Sequence, residues 1–154
     1  MNKQRALFLC TGNSARSQMA EGLTNYFVGD RWEAFSAGTE PAGYVHPLAV
    51  QAMDEMGIDI SLQRSKSVDE FRDGEFDVVI TLCDGAAKNC PLWLGAGRVT
   101  HLGFPDPAAA AGSADEQMEV FRRVRNRLSQ EVLHYLGKLE NSTMKKEFYA
   151  TGNL

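Results

Sequence analysis

The chain has 154 residues, 44% of them hydrophobic, and a formal charge of −4; it closes one sizeable core and is too short for two comfortable ones. The net negative charge argues against broad nucleic-acid or anionic-membrane binding, because those surfaces attract cationic partners. The leading apolar run, Ala6 to Cys10, is far too short for a secretory core or a membrane span, so a soluble, cytoplasmic, monomeric protein is expected.

Arg5 to Cys10 reads as a buried strand, and Ala15 to Val28 sets Met19, Leu23 and Phe27 at four-residue spacing, the stripe of an amphipathic helix. The stretch between them, Thr11-Gly12-Asn13-Ser14, is turn-like. A second strand is predicted over Trp32 to Ser36, closed by Ala37-Gly38, and a helix over Pro47 to Met56, stopped by Gly57. Phe76 to Leu82 is the most β-prone run, and its nearly continuous apolar character suits a central parallel strand covered on both faces. Cys83 sits at its carboxyl edge. A weaker strand follows at Arg98 to Leu102. The last long helix begins at Ser113-Ala114-Asp115-Glu116, a capping box, and turns Met118, Phe121, Val124 and Leu128 inward. Residues 140–154 lack periodicity and read as a loosely ordered tail behind a domain of residues 1–139. This βαβ rhythm predicts an α/β fold, a single-domain doubly wound sheet of four parallel strands flanked by helices, with sites at the carboxyl ends of the strands. Cys10, Cys83 and the loop bearing Asp106 fall at such ends.

The first strand-to-helix turn reads Cys10-Thr11-Gly12-Asn13-Ser14-Ala15-Arg16-Ser17, an oxyanion cradle. Small residues let successive backbone N–H groups converge, the following helix adds its positive end, and Arg16 forks two more donors onto a tetrahedral anion. The same field favours a thiolate at Cys10, and Ser17 is placed to donate its hydroxyl to that sulfur. A cysteine ending a buried strand is most often core filler, and a Gly-Asn turn is common. The joint presence of Arg16 and Ser17 at these spacings favours chemistry.

The turn, read as LFLCTGNSARSQMAEG, together with FSAGTEP and the later Asp106-Pro107, resembles the opening, the second strand and the general-acid loop of the low-molecular-weight protein tyrosine phosphatase superfamily, and within it the thioredoxin-linked arsenate reductases. The resemblance covers roughly Ala6 to Leu136. These segments leave reductase and phosphatase both open. The stretch Thr81 to Pro91 resembles the redox segment of the reductases, with Cys83 and Cys90 seven positions apart, and three alanines follow Asp106-Pro107 where phosphatases of this fold usually carry aromatic residues. Seven helical steps span roughly 10 Å, more than the roughly 7 Å between Cα atoms that a disulfide tolerates. A helical segment here must therefore unwind to oxidise.

The resemblance implies an arsenate reductase in which Cys10 attacks arsenate held by Arg16 and the loop of Thr11, Gly12, Asn13, Ser14 and Ala15, with Asp106 as general acid. It further implies a relay from Cys10 to Cys83 and then to Cys90, recycled by thioredoxin, with glutaredoxin and glutathione as the other donor class. Phosphate and sulfate are the expected analogues, and no bound cofactor is expected. The alternative activity is that of a low-molecular-weight tyrosine phosphatase, and a third class is a phosphocysteine carrier. Some relatives hold a potassium ion with positions matching Asn13, Glu21, Ser36 and an acidic residue; Lys66 stands at the last position, and its ammonium replaces the ion electrostatically. No metal is expected. His46, His101 and His134 lack ligand spacing, and the run Arg122, Arg123, Arg125 and Arg127, with Glu119 four residues before Arg123, reads as a solvated face.

Overall fold

The computed structural model describes residues 2–84 and 95–150, the side chains of residue 96 and of residues 142–150 not among them. The strands are β1 (Gln4–Cys10), β2 (Trp32–Gly38), β3 (Glu75–Thr81) and β4 (Ala96–His101), and the helices α1 (Arg16–Phe27), α2 (Pro47–Asp54) and α3 (Ala114–Ala150). The four strands form one sheet in the order β2-β1-β3-β4, every pairing parallel. The predicted α/β sheet of four parallel strands is therefore the fold.

β1 lies at the centre because its residues permit nothing else: Ala6, Leu7, Phe8 and Leu9 are all fully buried, and each large side chain removed from water stabilises the fold by about 1.5–3 kcal/mol. Alternation sends Ala6 and Phe8 to the face that packs Met19 and Leu23 of α1, Met53 of α2 and Phe121, Leu128 and Leu136 of α3. Leu7 and Leu9 go to the other face, where they meet Val68, Phe76 and Val79. Among the described residues that second face is covered by the short 3-10 turn Val68–Phe71.

Three helix details depart from the sequence reading. Phe27, the third member of the α1 stripe, is 46% exposed; eight helical steps carry a side chain roughly 80° away from the direction of Met19, so the stripe rotates out of the core by its last turn. Arg123 is not Glu119's partner: Glu119 binds Arg122 at 3.2 Å, Arg122 also forks onto Glu55 at 2.8 Å, and Arg125 reaches the same carboxylate at 2.8 Å. Arg125 further donates to the Ala52 carbonyl at 2.7 Å and is buried. The basic run therefore ties α3 to the end of α2 as well as facing water. Finally, α3 continues to Ala150, through the first part of the segment read as an aperiodic tail. Glu140 is held by Trp32 Nε1–H at 2.7 Å and Arg31 Nε–H at 2.8 Å, and nothing from Asn141 to Ala150 is a proline or glycine to stop the backbone. Apolar periodicity reports packing, whereas helix continuation needs only the i→i−4 ladder.

The capping box is formed, Ser113 Oγ accepting from Glu116 N–H at 3.1 Å and Glu116 Oε1 from Ser113 N–H at 3.2 Å. Gly57 follows α2 with φ +77, the left-handed conformation that ends a helix and that glycine adopts without strain. Among the described residues, no helix is long and apolar enough to cross a membrane.

Candidate active site

The chain leaves β1 toward β2 on one side and reaches β3 on the other, so the carboxyl ends of β1 and β3 flank a topological switch point, where a crevice forms in an open parallel sheet. Register fixes what meets there. Leu9 pairs with Thr81 and with Ala37, and Leu82 N–H continues the ladder to the Leu9 carbonyl at 2.8 Å. Cys10 thus ends β1, and Cys83 lies two residues past the end of β3, the neighbouring strand about 4.8 Å away in the ladder direction. Both sulfurs' residues are buried; Cys10 is a free thiol and Cys83 is disulfide-bonded. Cys90, and the expected helix-to-disulfide rearrangement of its segment, lie outside the described residues.

The loop after β1 is built by its carbonyls. Thr11 O accepts from Glu40 N–H, Gly12 O from Ala42 N–H, each at 2.9 Å, and Ser14 O from His46 N–H at 2.8 Å. In a trans peptide the N–H points opposite to the C=O, so these outward bonds turn the N–H groups of Gly12, Asn13 and Ala15 toward the interior of the loop. Asn13 takes φ +46, the one positive value among the described non-glycine residues, and this bends the backbone into a concave nest. α1 then follows its N-cap Ala15 with no side-chain cap and no acidic residue in its first turn. Its first N–H groups are left for an anion.

The result is a cavity of about 200 Å³ lined by Cys10, Thr11, Gly12, Ser14, Ala15, Arg16 and Asp106. Arg16 is 6% exposed, with Nη1 anchored on the Phe104 carbonyl at 3.2 Å and Nη2 3.8 Å from Asp106 Oδ2. Asp106 caps the 3-10 turn Pro107–Ala109 through Oδ1, which accepts from Ala108 N–H at 3.0 Å. The carboxyl group is thereby aimed, and its side chain remains 41% exposed. Cys10 Sγ stands 2.8 Å from Ser17 Oγ. Asn13 Nδ2–H donates to the same Ser17 oxygen at 2.8 Å, which leaves the hydroxyl proton free to donate to the sulfur.

Beneath the loop Lys66 N–H donates to Asn13 Oδ1 at 2.9 Å, and its Nζ lies 3.7 Å from Glu21 Oε1 and 3.4 Å from Ser36 Oγ. An ammonium therefore stands among the residues read from the sequence as a cation site. Burial pushes the Glu21 carboxyl up and the Lys66 amine down, in each case against the attraction of the partner.

Of the residues singled out in the sequence, the structure brings Cys10, Thr11, Gly12, Ser14, Ala15, Arg16 and Asp106 around one cavity and Ser17 and Asn13 behind Cys10; two further positions there had no part in the site as read from the sequence. Gly38 ends β2 against the loop: a Cβ there would lie 2.5 Å from Thr11 O and 3.0 Å from Asn13 N, so only glycine admits the approach. His46 caps α2, its Nδ1 accepting from Leu48 N–H at 3.1 Å, and stacks 4.7 Å from the Phe121 ring. Burial lowers its affinity for a proton while the charge of Asp106 opposes that. The His46-Pro47 pair at the head of a helix was the available signal, since proline favours the first helical position.

Comparison with known proteins adds four findings. Residues 5–147 match the low molecular weight phosphotyrosine protein phosphatase family. The arsenate reductase of Halalkalibacterium halodurans is 48% identical over 132 residues, 86% of this chain and 94% of that protein. Among solved structures, an arsenate reductase in its oxidized state superposes with a TM-score of 0.73 at 33% identity, covering 88% of this chain and 98% of its own. A thioredoxin-dependent arsenate reductase of Corynebacterium glutamicum gives 0.60 at 27% identity, covering 88% of this chain and 62% of its own.

Proposed function

Because the chain belongs to the low molecular weight phosphotyrosine protein phosphatase family and its near relatives are arsenate reductases, we propose that it reduces arsenate to arsenite by a three-cysteine relay recycled by thioredoxin. The observation that carries this reading is the pairing of a free, hydroxyl-bonded thiol at Cys10, inside an oxyanion cavity, with a disulfide-bonded Cys83 on the adjacent strand end. A hydrolase has no use for the second sulfur.

Arsenate is a tetrahedral dianion, and the loop N–H groups with Arg16 bind three of its oxygens. The Cys10 thiolate forms an S–As bond while one As–O bond breaks, and Asp106 protonates the departing hydroxide to water. Cys83 then attacks Cys10: an S–S bond forms, the S–As bond breaks, and its electron pair stays on arsenic, which leaves as arsenite. Cys90 attacks Cys83 and expels Cys10 as thiolate, so the two lost electrons end as a Cys83–Cys90 disulfide that the thioredoxin dithiol reduces by exchange. The thioredoxin dependence of the Corynebacterium glutamicum relative supports that choice of donor. Phosphate, of the same shape and charge, is the expected competitive analogue.

The test is arsenate-dependent NADPH consumption with thioredoxin and thioredoxin reductase, run beside glutaredoxin with glutathione and beside p-nitrophenyl phosphate hydrolysis. Turnover in the thioredoxin arm alone is expected; hydrolysis without arsenate-dependent oxidation would make the chain a phosphatase instead. Cys90→Ser is expected to perform at most one turnover per molecule, and sustained cycling in that variant would end the relay.

A further inference from the structure

Behind the Cys10–Ser17–Asn13 contacts stand two glutamines, Gln18 and Gln63, that the proposed reaction does not use. Gln18 is fully buried; its Nε2 donates to Asn13 Oδ1 and Asn13 O, each at 3.0 Å, and to Arg64 O at 2.9 Å. Gln63 Nε2 donates to Gln18 Oε1 at 2.8 Å and to Gln18 O at 3.0 Å. From these contacts we infer that Gln63 and Gln18 are positioning residues for the nucleophile, the outer members of a single oriented donor chain that ends on Cys10 Sγ. The inference rests on Cys10 being the attacking sulfur and not on arsenate being its target.

The direction of the chain is dictated by backbone groups whose polarity cannot change. The Gln18 carbonyl can only accept, so it fixes the amide nitrogen of Gln63 on that side. The carbonyls of Asn13 and Arg64 can only accept, so they fix the nitrogen of Gln18. Lys66 N–H can only donate, so it fixes Oδ1 of Asn13 and turns Nδ2 to Ser17. The order Gln63→Gln18→Asn13→Ser17 therefore runs donor to acceptor at every link, and the Ser17 hydroxyl extends it to Cys10 whenever that sulfur is a thiolate, which can only accept, with heavy-atom separations of 2.8, 3.0, 2.8 and 2.8 Å. Hydrogen bonds aligned head to tail polarise one another, and the effect is larger where water is excluded. Each amide dipole points its positive end toward the sulfur, so the sequence of bonds favours negative charge there. Asn13 is also held in its left-handed conformation by the same contacts, since Gln18 binds both its side-chain and main-chain oxygens.

The test is the pH dependence of iodoacetamide alkylation at Cys10 in the reduced protein, followed on the Cys10 peptide by mass spectrometry, for wild type, Gln18→Met and Gln63→Met, each also in a Ser17→Ala background. A charge-assisted hydrogen bond displaces a titration by about 1–2 pH units, so Gln18→Met should raise the midpoint by roughly 0.5 unit, near threefold slower alkylation below it. Gln63→Met, at a half-buried surface position, should raise it by about 0.3 unit at most, and it keeps the test alive if the buried variant does not fold. In the Ser17→Ala background both shifts should vanish, because their route to the sulfur is cut. A midpoint unmoved in Gln18→Met, or shifts that persist without the Ser17 hydroxyl, would overturn the inference and leave the glutamines as loop packing. Alkylation needs no arsenate turnover, so this outcome is independent of the reductase assay.

Discussion

Replacing Lys66 with methionine isolates the buried charge beneath the loop. Nζ lies 3.7 Å from Glu21 Oε1, with side chains 10% and 13% exposed, and at an effective dielectric of about 20 two unit charges at that separation attract by roughly 4 kcal/mol. Removing one member of a buried pair strands the other, which typically costs about 3–5 kcal/mol. Here Ser36 Oγ–H still donates to Glu21 Oε1 at 2.7 Å and about a tenth of each side chain meets water, so a loss of about 2–3 kcal/mol at pH 7.5 is expected. The sign of the pH dependence follows from Glu21. Burial already raises its carboxyl above the ordinary 4.5, and without Lys66 it rises further. A carboxyl raised in the folded state favours folding below its unfolded value and loses that advantage as pH rises through the folded value. The deficit of Lys66→Met relative to wild type should thus be full at pH 7.5 and shrink on acidification toward about 4.5. Urea denaturation midpoints over pH 4 to 8 measure it, and a deficit constant across that range would reduce Lys66 to packing and refute the electrostatic account. Wild-type turnover should be alike in potassium and sodium salts of equal ionic strength, since the ammonium already occupies the position; strong potassium activation would contradict it.

Asp106→Asn should lower kcat by about 10²–10⁴ while phosphate binding, followed by calorimetry, stays equal or tightens, because a carboxylate leaves the wall of an anion cavity; a kcat within tenfold of wild type would exclude Asp106 as the acid. Gly38→Ala places a Cβ 2.5 Å from Thr11 O, so β2 or the loop must shift. A stability loss of about 1–3 kcal/mol with weaker phosphate binding is expected, against which an unchanged Tm and affinity would count. Glu55 is held down to about 2 by its bonds from Arg122 and Arg125. A depressed carboxyl stabilises above its unfolded value and the effect is lost as pH falls from the ordinary 4.5 to about 2. Glu55→Gln should therefore lower Tm at pH 7 and converge with wild type near that lower limit; equal Tm values at pH 7 would deny the link between α2 and α3.

Much of this protein is written in local pattern. The run Ala6–Cys10, the stripe Met118–Phe121–Val124–Leu128 and the Ser113–Glu116 box each name their own element, because a strand's alternation, a helix's 3.6-residue period and a cap's hydrogen bonds involve neighbours within a few residues. The oxyanion loop is equally local: its cysteine, small residues and arginine lie within seven consecutive positions, so their order alone determines the cradle and the sulfur that faces it. The helical continuation to Ala150 escaped that reading because apolar spacing reports what a helix packs against, and the contact that anchors it, Glu140 on Trp32 and Arg31, spans more than a hundred residues.

The contacts that reach that loop from elsewhere in the chain were settled by the fold alone. Gly38 against Thr11, His46 beside Asp106, and Gln63 behind Gln18 come from three separate segments, and no spacing in the sequence relates any of them to Cys10. A side chain's type and its chain neighbours fix which element it joins, but hydrogen bonds and ion pairs depend on distances of a few ångströms between atoms, and those are set only when the sheet's strand order brings the carboxyl ends of β1, β2 and β3 together.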